Sequence, residues 1–191
     1  QSPVINQIDL LRKNYTIFST SINPAENEET LKDYINRFLN NTYYENKYAI
    51  KENENNIDLV IKNGKNIDDK NAVIIETKAI KNANEMITAD DINRKAFHET
   101  IQYYMEERVK RKNAEIKHIV ITNTIDWFIF DATEFERLFY SDKQFLNDYK
   151  NWIEGNLVSK NKDWFYSELA KPFVEKSEET IVCTHIDLSG F

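Results

Sequence analysis

Cysteine is almost absent from this chain. The single Cys183 excludes an internal disulfide and fits a reducing compartment, so a cytoplasmic location is expected. Glycine and proline are scarce as well, three of each, which favours long helices and few elaborate loops. No apolar run approaches the roughly 18 residues that span a bilayer, and no apolar leader follows the N-terminus. No membrane association is expected. Positive charge is also lacking: the formal net charge is −7. Phosphate contact normally draws on an excess of Lys and Arg, so this balance argues against a free-standing nucleic-acid binder. It leaves a nuclease open, because a carboxylate metal site is itself acidic.

What is present is enough for one globular domain. The 191 residues are 41% hydrophobic and 30% charged, within the range of folded proteins and long enough to bury a core. No internal repeat or low-complexity linker divides them, so residues 1–191 are expected to form a single domain.

The most informative stretch runs from Asn55 to Ile80, NNIDLVIKNGKNIDDKNAVIIETKAI. It alternates through Ile57–Ile61, turns at Asn63–Gly64, and returns as the β-branched run Val73–Ile75. That pattern predicts two neighbouring antiparallel strands. Side chains alternate along a strand, so Glu76 and Lys78 share a face, while Ile57, Leu59 and Ile61 send Asp58 to the other side of theirs. One register then gathers Asp58, Glu76 and Lys78 at one edge of the hairpin. Two carboxylates are hard-oxygen ligands for Mg²⁺, with Mn²⁺ as a substitute, and a nearby amine can orient a water and offset charge on a phosphate. A charged pair flanking a buried strand is the plainer explanation of E-x-K alone.

With Asp58 on the preceding strand, Glu76-x-Lys78 resembles the PD-(D/E)XK nuclease signature, although Ile57 stands where the name has proline. The resemblance extends through EMITADDINRKAFHETIQYYMEER, IKHIVITNTIDWFIFDATEFERLFY and FYSELAKPF, and covers about Glu28 to Leu188. These segments look like the N-terminal nuclease region of type IIG restriction endonuclease-methyltransferases. The resemblance implies an α/β fold, a restriction-endonuclease-like core with a mixed central sheet flanked by helices. It further implies a Mg²⁺-dependent, bacterial or archaeal endonuclease that hydrolyses double-stranded DNA to 5′-phosphate and 3′-hydroxyl ends. Asp58 and Glu76 would hold the metal and Lys78 would assist the attacking water. Glu28 matches by position the helix carboxylate that often completes such sites, with Glu29 as the fallback; the other account of Glu28 is a solvated first turn favoured by the helix dipole. The chain carries no Asn-Pro-Pro-Tyr methyltransferase motif and no glycine-rich cofactor loop, and Gln1 is not an initiator methionine. A fragment of a longer chain is therefore expected, with methyltransferase and target-recognition domains elsewhere in it. Cutting both strands with one site per chain would call for a transient dimer. The alternatives are an inactive nuclease-fold module for DNA docking or assembly, and a repair or processing nuclease.

Other elements are expected as follows. A short helix lies within residues 4–18. A second starts at Asn23–Pro24 and runs to about Asn40, with Leu31, Ile35, Phe38 and Leu39 as its apolar stripe. Lys47–Lys51 reads as a strand. Thr88–Asp91 reads as a capping box for a long helix reaching about Lys112, packed through Phe97, Ile101, Tyr104, Met105 and Val109. Beside that stripe, Arg94, His98 and Gln102 form a polar row expected to be a solvated flank. Arg94, Lys95 and Gln102 are nonetheless the DNA-contact candidates that the resemblance suggests. Ile116–Thr122 and Asp126–Phe130 read as core strands, followed by helices over Thr133–Phe139, Lys143–Ile153 and from Asp163 to about Pro172. Cys183, His185 and Asp187 share one face of a terminal strand, a triplet that alternation produces by chance.

Overall fold

The β-branched and aromatic runs become one six-stranded sheet in the computed structural model, which describes residues 5–177 and 180–190. Helices α1 (Ile5–Ser21) and α2 (Glu28–Leu39) precede the sheet, and α2 continues through a wide π turn at Asn40–Tyr44. Strands β1 (Ile50–Glu54), β2 (Ile57–Lys62) and β3 (Asn71–Thr77) form an antiparallel meander. Helix α3 (Lys95–Val109) then crosses to β4 (His118–Thr122), which lies parallel to β3, as such a pair requires. Strand β5 (Asp126–Asp131) pairs antiparallel with β4. The chain then runs through α4 (Ala132–Phe135) with its π extension Glu136–Tyr140, α5 (Lys143–Glu154), α6 (Lys162–Trp164), a π segment Phe165–Ala170 and α7 (Lys171–Ser177). It returns as β6 (Thr184–Asp187) against β5. The strand order equals the chain order. This is an α/β fold with a mixed, mostly antiparallel sheet flanked by helices, and its sequence of helix, three-strand meander, long helix and strand is the one the nuclease resemblance implies.

Alternation along β2 and β3 divides the interior in two. Val60 and Ile74 join the larger core with Phe97, Ile101 and Met105 of α3 and the aromatic cluster of the later helices. Leu59, Ile61 and Ile75 join the smaller core with Phe18 of α1 and Ile35 of α2. The β1–β2 connection is a two-residue turn through Asn55 and Asn56, both at positive φ (56° and 69°), the conformation a tight hairpin with right-handed strand twist selects.

Several element boundaries differ from the sequence reading, for local reasons. Helix α1 is longer than expected. Helix α2 begins at Glu28 instead of Pro24: Asn23 caps only a turn, accepting from the Ala25 N–H, while the Asn27 side chain accepts from the Thr30 N–H and starts the helix. The first strand begins at Ile50, because Tyr44–Tyr48 finishes the helical turn. Thr88–Asp91 is no capping box; its backbone closes on itself, Ile87 and Ile92 turn into the core, and α3 starts only after Arg94. The cap before α6 is Asn161, not Asp163. Pro172 does not end the last helix, because the preceding π segment, with the Lys171 N–H on the Tyr166 carbonyl, widens the turn where a proline ring would otherwise clash. Among the described residues, no helix is long and apolar enough to cross a membrane.

Candidate active site

Strands β1, β2 and β3 carry one row of polar residues at the end of the sheet where β3 finishes. The β2–β3 ladder pairs Leu59 with Ile75, so one step further sets Asp58 opposite Glu76. On the other side, the Glu52–Leu59 and Glu54–Ile57 pairs bracket Asn53 against Asp58. Asn53, Asp58 and Glu76 thus form a single row across three strands. Directly opposed residues of an antiparallel pair have Cβ atoms about 5 Å apart, close enough for two carboxylates to serve one cation. Asp58 is held in place by Oδ2, which accepts the Thr77 N–H at 2.8 Å and so replaces a rung of the ladder with a side chain.

Lys78 stands beside Glu76, as strand parity predicts. Its Nζ lies 2.6 Å from Glu76 Oε1 and 2.6 Å from Glu99 Oε2 of α3, with Glu85 Oε2 further off at 3.9 Å. Glu76 and Lys78 are almost wholly buried, at 3% and 4% exposure. Burial opposes the charge on Lys78, but Glu76 and Glu99 outweigh it and raise the ammonium pKa. Lys78 is therefore a fixed cation and hydrogen-bond donor, not a proton acceptor. Glu76 is pushed well above the ordinary carboxylate range, first by burial and then by the negative charges of Asp58 and Glu99, against the pull of Lys78. Asp58 is raised too, by burial, with the Thr77 N–H and Lys32 opposing.

Glu28, in the first turn of α2, does not join this pair directly. Its Oε1 accepts from the Ala79 N–H at 3.3 Å and from Asn82 Nδ2 at 3.0 Å, tying α2 to the loop that leaves β3. The remaining candidates lie around the start of α3. Arg94 bridges Asp91 and the Ala83 carbonyl, and Lys95 pairs with Glu85 at 3.0 Å. The solvated flank expected of Arg94, His98 and Gln102 is corrected: His98 and Gln102 are 5% and 3% exposed, because the packed loop before α3 and the last helices cover that side. Gln102 donates to Glu106 and presents no surface to DNA.

Three contributors escaped sequence reasoning. Lys32 of α2 is buried, and its Nζ contacts Glu29 Oε2 (2.5 Å), Asn53 Oδ1 (2.6 Å) and Asp58 Oδ1 (3.4 Å). Asn53 adopts φ +54°, which lets its side chain serve both Lys32 and Glu29. Glu99 anchors Lys78. The only local signal for Lys32 was a lysine one position along from the apolar stripe residue Leu31. Tyr103 and Tyr166, buried close enough to feel Glu76 and Glu99, stay neutral because burial and those charges raise their pKa.

The donor chemistry suits a hard divalent cation. Glu76 Oε2 is buried without a hydrogen-bond partner among the described residues, whereas Glu99 Oε2, equally buried, is taken up by Lys78. Three largely buried carboxylates (Asp58, Glu76, Glu99) lie beside two buried lysines (Lys32, Lys78), and the crowding of acids is part of what holds the Glu76 carboxyl above its ordinary range. Among the described residues, no three His, Cys, Asp or Glu side chains are grouped as a cage, so the donor set is the Asp58–Glu76 pair. Mg²⁺ is commonly held by one or two carboxylates with waters completing its shell, so the pair fits it. His185 is engaged otherwise, stacked on Phe128 at 4.2 Å and paired with Asp126. A cleft of about 810 Å³ is an apolar groove lined by residues such as Tyr15, Phe38 and Trp127, away from the carboxylates.

Comparison with protein families matches residues 1–191 to a domain of unknown function, DUF7149. The chain belongs to the DUF7149 family. No curated protein and no solved structure matches it. For this DUF7149 member, the cluster of Asp58, Glu76 and Lys78 is accordingly the chief guide to function.

Proposed function

We propose that this chain is a metal-dependent DNA endonuclease domain of a type IIG-like restriction-modification enzyme, hydrolysing phosphodiester bonds. The observation that carries the proposal is the buried, unpartnered Glu76 Oε2 opposite Asp58, with Lys78 clamped beside it. Asp58 and Glu76 would hold a divalent cation, Mg²⁺ or Mn²⁺. Once bound, that ion supplies the positive charge that polarises a phosphoryl oxygen and activates water. Lys78, kept protonated by Glu76 and Glu99, directs N–H donors at the attacking water and at charge developing on the phosphate. Thr77 fixes Asp58 through its N–H, and Glu28 holds the loop after β3 against α2. Tyr103 and Tyr166 exclude water from the inner side. A complete acid–acid–lysine set favours catalysis over an inert docking module, which would have no use for a buried carboxyl oxygen left without a hydrogen-bond partner.

The test is thermal denaturation with and without Mn²⁺ or Mg²⁺. A cation at about 100 times its Kd stabilises the folded state by about 2.7 kcal/mol, a rise in Tm of roughly 5–10 °C for a chain of this size. The wild type is expected to show that rise and Glu76→Gln to lose it. Equal shifts in both proteins would place the cation elsewhere and sink the proposal.

A further inference from the structure

The cluster has two sides, and they are not equivalent. On the inner side Glu76 Oε2 has no hydrogen-bond partner among the described residues. On the outer side Asp58 Oδ1 already faces a cation, the Lys32 ammonium at 3.4 Å. That ammonium has three N–H donors and three oxygen partners, on Glu29, Asn53 and Asp58, so its donors are fully used. It is also locked. Lys32 is buried on the rigid α2, and Asn53 is turned to φ +54° with its Oδ1 on Lys32 and its Nδ2 on Glu29. A left-handed conformation at a non-glycine residue costs free energy and persists where the surroundings impose it. Here it aims one amide at both members of the Lys32–Glu29 pair.

Resting on the nuclease reading above, we infer that Lys32 takes the place of a second metal ion, so that the site holds a single divalent cation on the Glu76 side of Asp58. A fixed positive charge held against Asp58 Oδ1 repels a second cation brought to the same oxygen. It stands against Oδ1, the Asp58 oxygen on the side where a second ion would sit. Lys32 acts through Asp58 and is a positioning residue. Its charge is permanent, so the outer carboxylate oxygen stays oriented whether or not a metal is bound.

Isothermal titration with Mn²⁺, together with Mn²⁺ electron paramagnetic resonance, separates the possibilities. The wild type is expected to bind one ion per chain and to give the spectrum of an isolated ion. Lys32→Met, which keeps the aliphatic stem, should bind two, because Asp58 Oδ1, Glu29 and Asn53 are then free to accept the second. Lys32→Arg, still cationic, should bind one. The resonance spectrum of the wild type needs no variant, so the inference stays testable if Lys32→Met fails to fold: a spin-coupled pair overturns it. One ion in both the wild type and a folded Lys32→Met overturns the inference but leaves the nuclease reading standing. No ion in the wild type overturns both.

Discussion

At the scale of single residues, burial decides which charges are held and which are surrendered. His98 lies against the last helices near Lys171, and its imidazole pKa is lowered to about 4 by burial and then by the lysine charge. It is neutral at pH 7 and hydrogen-bonds to Asn93 Oδ1 at 2.7 Å. Its folded pKa lies below the unfolded value near 6.5, so the unfolded state binds the extra proton between those two values. Stability is then complete above about pH 6.5 and falls as pH drops toward 4, by up to about 3 kcal/mol. Chemical denaturation at pH 7 and pH 4.5 should show His98→Gln losing less stability across that interval than the wild type; parallel losses would mean His98 titrates normally. Glu76 has the opposite sign. Its raised pKa favours the protonated folded form, so without divalent cations its contribution falls as pH rises above the ordinary carboxylate range. Glu76→Gln should remove that part of the slope in melts recorded in EDTA. The juxtaposition of Asp58, Glu76 and Lys78 was legible from strand alternation. Lys32 and Glu99 were not, since each meets the site across a long gap in sequence, and no periodicity reports which helix residue arrives at a strand end; Asn53 was not, because it lies beyond Lys51, the expected limit of the first strand.

At the scale of elements, strands were read more accurately than helix starts. Strands declare themselves by β-branched alternation, and β2, β3, β4 and β5 lie within a few residues of their expected limits. Helix starts depend on which of several capping residues the tertiary fold selects. Asn23–Pro24 and Asn27 both carry cap chemistry, and packing of Leu31 and Ile35 favours the later one. Asn27→Ala should therefore cost about 1 kcal/mol, a fall in Tm of roughly 2–4 °C, whereas Asn23→Ala should be nearly silent. Because α2 carries Glu28 and Lys32, Asn27→Ala should also weaken Mn²⁺ binding; a destabilised variant with unchanged metal affinity would detach α2 from the site. The three π segments left no trace in the sequence reading, as one widened turn displaces the apolar periodicity by a single residue, which a run of five or six residues is too short to display.

At the scale of the whole molecule, charge and site pull in different directions. A net charge of −7 works against DNA, and the candidate phosphate-facing cations Arg94 and Lys95 are already paired with Asp91 and Glu85. With Gln102 buried, no cluster of Arg, Asn or Gln is available on α3 to read base edges. Binding to duplex DNA should be weak, indifferent to sequence and steeply reduced by salt, as fluorescence anisotropy with several unrelated duplexes would report. Tight preference for one duplex would locate target recognition in this chain. The central claim, a cation-dependent phosphodiesterase built on Asp58, Glu76 and Lys78, is tested most directly by cleavage of supercoiled plasmid in Mg²⁺ or Mn²⁺, with the ends of the products determined. The expected result is slow cleavage without a preferred site, 5′-phosphate and 3′-hydroxyl ends, and loss of activity in EDTA, in Glu76→Gln and in Lys78→Met while both variants remain folded. Absence of cleavage by the wild type under every divalent condition, or cleavage that survives Glu76→Gln, would contradict it.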